Sequence, residues 1–283
     1  HQKLLLNGIR REKKMKEQTI RSKDGLLTVG MYPQDCREIR FVYNNKYESL
    51  YGWPEDSHLL LSSSRINDSK PNPGIKKWEQ RVGKEEAERI KEESLRIGTL
   101  MHTYLETSLW KFCNVKYQNH PPIVAPSKKD PHEIEKASAM GNIILREGLK
   151  NKLQEVWGME AHVYWDHYLR GKIDLVGVYN NKPCILDFKQ TRNPKKREWI
   201  DNYFMQLACY GLAHNYLCKT KIENGIILMC SHNLQYQEFK LEGKEWKHYC
   251  NLFLKELKKY IEEEYKITKK RLDGINQTMK DLI

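Results

Sequence analysis

The segment GKIDLVGVYNNKPCILDFKQT, residues 171–191, constrains the chain more than any other. It contains two short apolar runs, each interrupted by one carboxylate, Asp174 and Asp187. The β-branched and aromatic content predicts strands over 172–179 and 183–189. Asn180 and Asn181 separate them. Asparagine tolerates positive φ, so this pair predicts a two-residue hairpin turn. Such a loop fixes the register. Tyr179 then faces Lys182, Gly177 faces Cys184, and Asp174 faces Asp187. Directly opposed side chains have Cβ atoms about 5 Å apart. Lys189 lies two residues past Asp187 and points to the same side of its strand.

Two facing carboxylates in apolar strands are costly unless a cation lies between them or one is protonated. Hard divalent cations prefer such oxygen ligands. A lysine beside them can orient a water or stabilise the added charge of a phosphoryl transition state. The Phe188 carbonyl is free to add a ligand if the strand bends there. The plainer reading is a cross-strand Asp–Lys salt bridge on a solvated face. The apolar surroundings and the register favour the metal site.

The rest of the chain sets bounds. At 283 residues it forms one large domain or two small ones. It buries enough surface to fold without a disulfide or zinc staple. Mean hydropathy is −0.78, and no run approaches ~18 consecutive apolar residues, so no membrane span is expected. Seven cysteines, an odd number, include no CxxC pair. That spacing predicts neither a disulfide framework nor a zinc site, and suits a reducing compartment. The basic N-terminus lacks the apolar stretch of a secretory signal, so an intracellular location is expected. No GxxxxGK[ST] loop occurs, so no use of ATP is expected. Net charge is +12. Residues 1–23 hold eight basic side chains against Glu12 and Glu17, half of that excess. A polyanion, most commonly nucleic acid, fits such a surface, although solubility alone also explains it.

Periodicity and breakers predict a strand over 38–43. Helices are expected over 84–97 and 99–112, broken at Gly98 with Thr99 as a cap, and over 132–152. Strands follow over 159–166, 172–179 and 183–189, then a helix over 199–217. Strands over 225–231 and 235–241 precede a helix over 244–264. The fold expected is α/β, a central mixed β-sheet flanked by helices, with an added N-terminal helical region. Three regions are expected. Residues 1–61 form a basic arm with small strands. Residues 62–265 form the main domain, with a helical cover at 76–152 and a sheet core at 153–265. Residues 266–283 form a polar tail. Hairpin-length loops between the first three core strands exclude a doubly wound sheet.

Asp174…Asp187-Phe188-Lys189 resembles the core of the PD-(D/E)XK nuclease superfamily in its RecB-type branch, with a restriction-endonuclease-like sheet. Gly98-Thr99-Leu100-Met101-His102 is similar to that branch's GTxxH helix. Glu160 lies one strand upstream of Asp174, where the family often has a glutamate. Gln206-Leu207-Ala208-Cys209-Tyr210 resembles the QxxxY helix that follows the lysine. Trp78-Glu79-Gln80-Arg81 is similar to the WxxR segment of the mitochondrial genome maintenance exonucleases and their phage relatives. The likeness covers roughly residues 60–260. Gln190 departs from it, standing between Lys189 and Thr191 where relatives often place threonine directly after the lysine.

The resemblance implies a metal-dependent DNA exonuclease, active in replication, repair or recombination and leaving 5′-phosphates. It implies one or two Mg²⁺ or Mn²⁺ ions held by His102, Asp174, Asp187, Glu160 and the Phe188 carbonyl, with Lys189 positioning the water. The imidazole ligand suits Mn²⁺ better than Mg²⁺. Some relatives carry an iron–sulfur cluster on one upstream and three grouped cysteines. Here the later cysteines are scattered, so no iron–sulfur cluster is expected. Single-stranded DNA with a free end is the expected partner, passing beneath the helical cover, and the protein is expected to be a monomer. A bacterial or phage-infected cytoplasm and a mitochondrial matrix both suit it. A structure-specific endonuclease or resolvase, or a non-catalytic nucleic-acid-binding protein, is the alternative. The intact Asp–Asp–Lys set favours catalysis.

Each supporting residue also has a plainer reading. His102 shares a helix face with Glu106, and a surface His–Glu contact would explain it. Glu160 could pair with Lys172 or Lys189 instead of a metal. Gln206 is expected in the catalytic set, approaching the lysine or the DNA backbone, and Tyr210 on the same helical face is expected to bind DNA, with core packing as its plainer reading. Arg192, Lys195, Lys196 and Arg197 directly follow the lysine and are expected to bind phosphate. Trp199 and Tyr203 beside them suit stacked, unpaired bases. Ser62, Ser63, Ser64 and Arg65 offer donors to phosphate oxygens. Arg81 is expected on the same strand path.

Overall fold

The computed structural model describes residues 18–20, 39–41, 61–62, 73–113, 130–165 and 169–281. Eight strands form one mixed sheet: β1 (Gln18–Ile20), β2 (Ile39–Phe41), β3 (Leu61–Ser62), β4 (Leu153–Trp165), β5 (Leu169–Tyr179), β6 (Lys182–Thr191), β7 (Asn224–Ser231) and β8 (Tyr236–Glu242). The order is β1-β2-β4-β5-β6-β7-β8, with β3 paired to β5. The helices are α1 (Pro73–Val82), α2 (Lys84–Cys113), α3 (Pro131–Ile143), α4 (Asp201–Cys218) and α5 (Gly243–Asp281). The fold is α/β, as the sequence predicts. The sheet crosses the boundary expected at residue 61, because β2 runs parallel to β4 and β3 parallel to β5.

The hairpin forms with the predicted register. Asn180 and Asn181 have φ of 48° and 63°, and Tyr179 pairs with Lys182. Then β6, α4 and β7 make a parallel crossover, with Asp187 opposite Ile227 and Lys189 opposite Met229.

Apolar alternation puts a core on each face of the sheet. Leu186, Phe188 and Leu228 pack beneath α2 and α3. Ile185, Ile227 and Met229 pack against α4 and α5. Phe204 and Phe253, both fully buried, each contribute roughly 2–3 kcal/mol to the second core.

Four sequence expectations need correction. Gly98 does not break the first long helix, because α2 runs unbroken for 30 residues. Buried Ile97, Leu100, Met101 and Leu105 anchor it on both sides, outweighing the ~1 kcal/mol cost of an internal glycine. Thr99 is no cap. Its hydroxyl donates to the Leu95 carbonyl one turn back. The helix expected over 132–152 is α3 followed by a π-helical turn, Ile144–Leu149. The polar tail expected over 266–283 is helical as far as Asp281, as part of α5. Among the described residues, no helix is long and apolar enough to cross a membrane. The cysteines Cys184, Cys209, Cys218, Cys230 and Cys250 are free and buried.

Candidate metal centre at a strand fork

The site lies where β5 and β6 separate. Their ladder runs from Tyr179–Lys182 to Leu175–Leu186 and stops. At the next position Asp174 does not sit as a ladder partner of Asp187. Its Oδ2 accepts the Phe188 amide N–H at 2.7 Å. A short carboxylate has replaced a backbone carbonyl as the acceptor, and the strands part there. The register expectation therefore holds for five pairs and fails at the carboxylates themselves.

A second irregularity lies on the other side of Asp174. Met159 pairs with Leu175 and Ala161 with Ile173, which sets Glu160 opposite Asp174. Glu160 has φ 48°, the left-handed region. Met159 and Leu175 belong to the core under α2, yet Ala161 and Ile173 belong to the core under α4. Residues two apart in a regular strand share a face. Both strands therefore change face at the Glu160–Asp174 level, and these two carboxylates are set at the crossing point.

Helix α2 brings His102 onto this point. Nδ1 lies 3.4 Å from Asp174 Oδ1 and 3.7 Å from Glu160 Oε1. Nε2 lies 3.0 Å from the Phe188 carbonyl oxygen. Donation from Nε2–H to that carbonyl would leave Nδ1 as the free ligand atom, a common arrangement around metal-binding histidines. His102, Glu160 and Asp174 each offer one ligand atom, all within 4.8 Å of one another. Asp187 lies beside this trio, with its Oδ2 2.5 Å from the Lys189 ammonium. Asp187 Oδ2 is buried and faces that ammonium as an ion pair. Glu160 also pairs with Lys172.

The charges are strongly coupled. Burial alone would push His102 down, but Asp174 and Glu160 lift its pKa to about 10. Burial pushes Asp187 up to about 6, although Lys189 opposes the shift. Asp174 is held below its usual range, because His102 and Lys189 outweigh its burial. Burial works against the Lys189 charge, but Asp187 and Asp174 raise its pKa well above the ordinary lysine range. Three carboxylates thus converge on imidazolium and ammonium groups. A divalent ion would take the place of the imidazolium proton, and the N/O donor set of His102, Glu160 and Asp174 then fits such an ion. The Phe188 carbonyl, expected as a direct ligand, is already engaged by His102.

Other predicted residues fall on both sides of this point. Gln206 donates from Nε2 to the Tyr210 hydroxyl at 2.8 Å, and buried Tyr210 acts electrostatically on Lys189. Arg192 pairs with Glu93 of α2 at 3.1 Å. Lys195 donates its amide to Gln237 Oε1 at 2.8 Å. Lys196 lies over the Trp199 ring. Arg197 binds Glu245 and the Lys240 carbonyl rather than facing the fork. Arg81 is exposed on α1 and Trp78 is half-buried there. Ser62 ends β3. Ser63, Ser64 and Arg65 lie outside the described residues, as do residues 1–17 and 21–23 of the basic arm.

Sequence reasoning missed one clasp. Gln190 donates to the Ser94 carbonyl at 2.9 Å, and its Oε1 lies 2.9 Å from His232 Nε2. It ties α2 to the end of β6, with Gly98 packed against its stem. The residue noted as a departure from the family pattern therefore positions the helix that carries His102. Its place directly after Lys189, facing the opposite way, was the available signal.

No protein-family description matches the chain, and no curated protein does. Among solved structures, one titled as the crystal structure of SSO0001 overlaps 75% of this chain and 81% of its own, at 14% identity and a TM-score of 0.34. A likeness this low carries no argument about fold or function.

Proposed function

We propose that the chain is a metal-dependent deoxyribonuclease that hydrolyses single-stranded DNA from a free end and leaves 5′-phosphates. The observation carrying this reading is the convergence of His102, Glu160 and Asp174 at the strand fork, beside the Lys189–Asp187 pair. His102 Nδ1, Glu160 and Asp174 would hold a divalent ion, Mg²⁺ or Mn²⁺, with Asp187 as the adjoining carboxylate. Such an ion supplies charge neutralisation at the scissile phosphate and an acidified water. Lys189 carries the remaining chemistry. Its ammonium, kept charged by Asp187, donates to the attacking water or to a phosphate oxygen and offsets charge as the phosphorus gains a fifth oxygen. Tyr210, held by Gln206, acts electrostatically on the lysine from α4. Helix α2 closes one face of the fork, and α4 closes the other.

The deciding assay uses linear single strands labelled at the 5′ or 3′ end, and a circular strand, each with Mg²⁺, Mn²⁺ or EDTA. Linear DNA is degraded with either metal, circles survive, and EDTA stops the reaction. Opened circles would make the protein an endonuclease. Sparing of every substrate, with binding retained, would make it a binding protein.

A further inference from the structure

Beyond Lys189 the chain enters a turn held from several sides. Thr191 Oγ1 donates to the Asn193 carbonyl at 2.9 Å. The Lys195 amide donates to Gln237 Oε1 at 2.8 Å, and Gln237 Nε2 returns a bond to the Lys195 carbonyl at 2.9 Å. The Arg197 guanidinium binds the Lys240 carbonyl at 3.0 Å and Glu245 at 2.7 Å, and lies 4.4 Å from the Phe204 ring centroid. Ile200 is 1% exposed and plugs the core. Arg197 and Ile200 therefore anchor the turn, and Trp199 between them contributes little to that anchoring.

Trp199 is 57% exposed. Leaving an indole in water forgoes roughly 2–3 kcal/mol of burial, and here it is presented on a fixed backbone. The Lys196 ammonium stands 5.4 Å from its ring centroid. Four residues on, at the entry to α4, the Tyr203 ring lies 5.1 Å from the Lys189 ammonium. A cation–aromatic pair on an anchored turn thus lies four residues before the aromatic that touches the proposed catalytic lysine.

We infer that Trp199 and Lys196 form a stacking subsite for one nucleobase of a single strand next to the scissile phosphate. The indole takes the base face and Lys196 takes the flanking phosphate. A π-face accepts any base, and the larger purine face stacks better, so purines bind more tightly there. This subsite rests on the single-strand nuclease reading, but its test does not need turnover.

The test measures fluorescence anisotropy with the full chain in EDTA. The ligands are labelled oligo(dA), oligo(dT) and a fully abasic strand of the same length. The proteins are wild type, Trp199→Ala and Trp199→Phe, each confirmed as folded by its melting curve. Trp199→Ala weakens oligo(dA) binding on the order of tenfold, oligo(dT) less, and the abasic strand not at all. Trp199→Phe restores most of the loss. An equal loss on the abasic strand, an unchanged affinity for oligo(dA), or no wild-type binding to any strand overturns the subsite. With no metal present, the titration decides the subsite independently of the cleavage assay, so the two failures are told apart.

Discussion

Glu160 adopts a left-handed backbone conformation directly across the sheet from Asp174, at the level where both strands change face. A non-glycine residue held there costs roughly 1–2 kcal/mol. Such strain persists where the surrounding structure imposes it, most often at working sites.

Glu160→Asn separates strain from function. Asparagine tolerates this conformation better than glutamate. Glu160→Asn also loses the Lys172 pair and the His102 contact, so its reference is Glu160→Gln, which loses the same charge but keeps a side chain that tolerates this conformation poorly. Without metal, Glu160→Asn therefore melts about 2–4 °C higher than Glu160→Gln, while metal-dependent cleavage falls ~100-fold or more in both. A lower melting temperature in calorimetry would show that the conformation is not strained.

Lys189→Ala abolishes cleavage and leaves strand affinity in EDTA within a few-fold of wild type. Asp187→Asn, by contrast, weakens both cleavage and Mn²⁺ binding, because Asp187 adjoins the proposed ion site and pairs with the lysine. Isothermal titration with Mn²⁺ and single-turnover cleavage read the two effects separately. Turnover by the Lys189 variant would remove that residue from the mechanism.

Acid should weaken the far end of the sheet through Glu238. Its Oε2 receives Lys152 at 2.7 Å, Tyr236 at 2.9 Å and Tyr179 at 3.1 Å. Burial opposes ionisation, but these donors hold its pKa below the ordinary glutamate range. A folded pKa below the unfolded one means stability that is present above about pH 4.5 and lost as pH falls through the folded value. Wild type therefore exceeds Glu238→Gln by roughly 2 kcal/mol at pH 7. That margin shrinks below about pH 4.5 in urea melts. A margin independent of pH would locate the effect in packing.

Gly177→Ala should cost about 3 kcal/mol or more. A Cβ at that position would lie 1.9 Å from the Glu155 carbonyl oxygen, beside the register shifts that bring β4 against β5. The nearest atoms are all β4 backbone, which cannot turn aside as a side chain can. A urea midpoint within error of wild type would show that the β4 shift can relax.

Much of this architecture was legible in the residues. Asn180-Asn181 fixed a turn and a register, and apolar runs located β5, β6 and β7 to within a few residues. The QxxxY spacing placed Gln206 against Tyr210 one helical turn on. What escaped was cooperative. Gly98 reads locally as a break, but the buried residues around it belong to a surface that a linear reading does not see. The parting of β5 from β6 depends on one side chain outcompeting a carbonyl for the Phe188 amide. The left-handed Glu160 follows from β4 and β5 changing face together, which neither strand's pattern encodes alone. The clasp of Gln190 on Ser94 joins residues 96 positions apart.

The continuity of α2 through Gly98 has a mechanical consequence. A helix of 30 residues is a rod of about 45 Å. Gln190 grips it at Ser94, and Arg96 is fastened to Glu133 of α3 at 2.9 Å. The imidazole of His102 stands two turns further along the same rod. With no joint between grip and imidazole, a displacement of the exposed leading half is delivered to the fork as a lever delivers it.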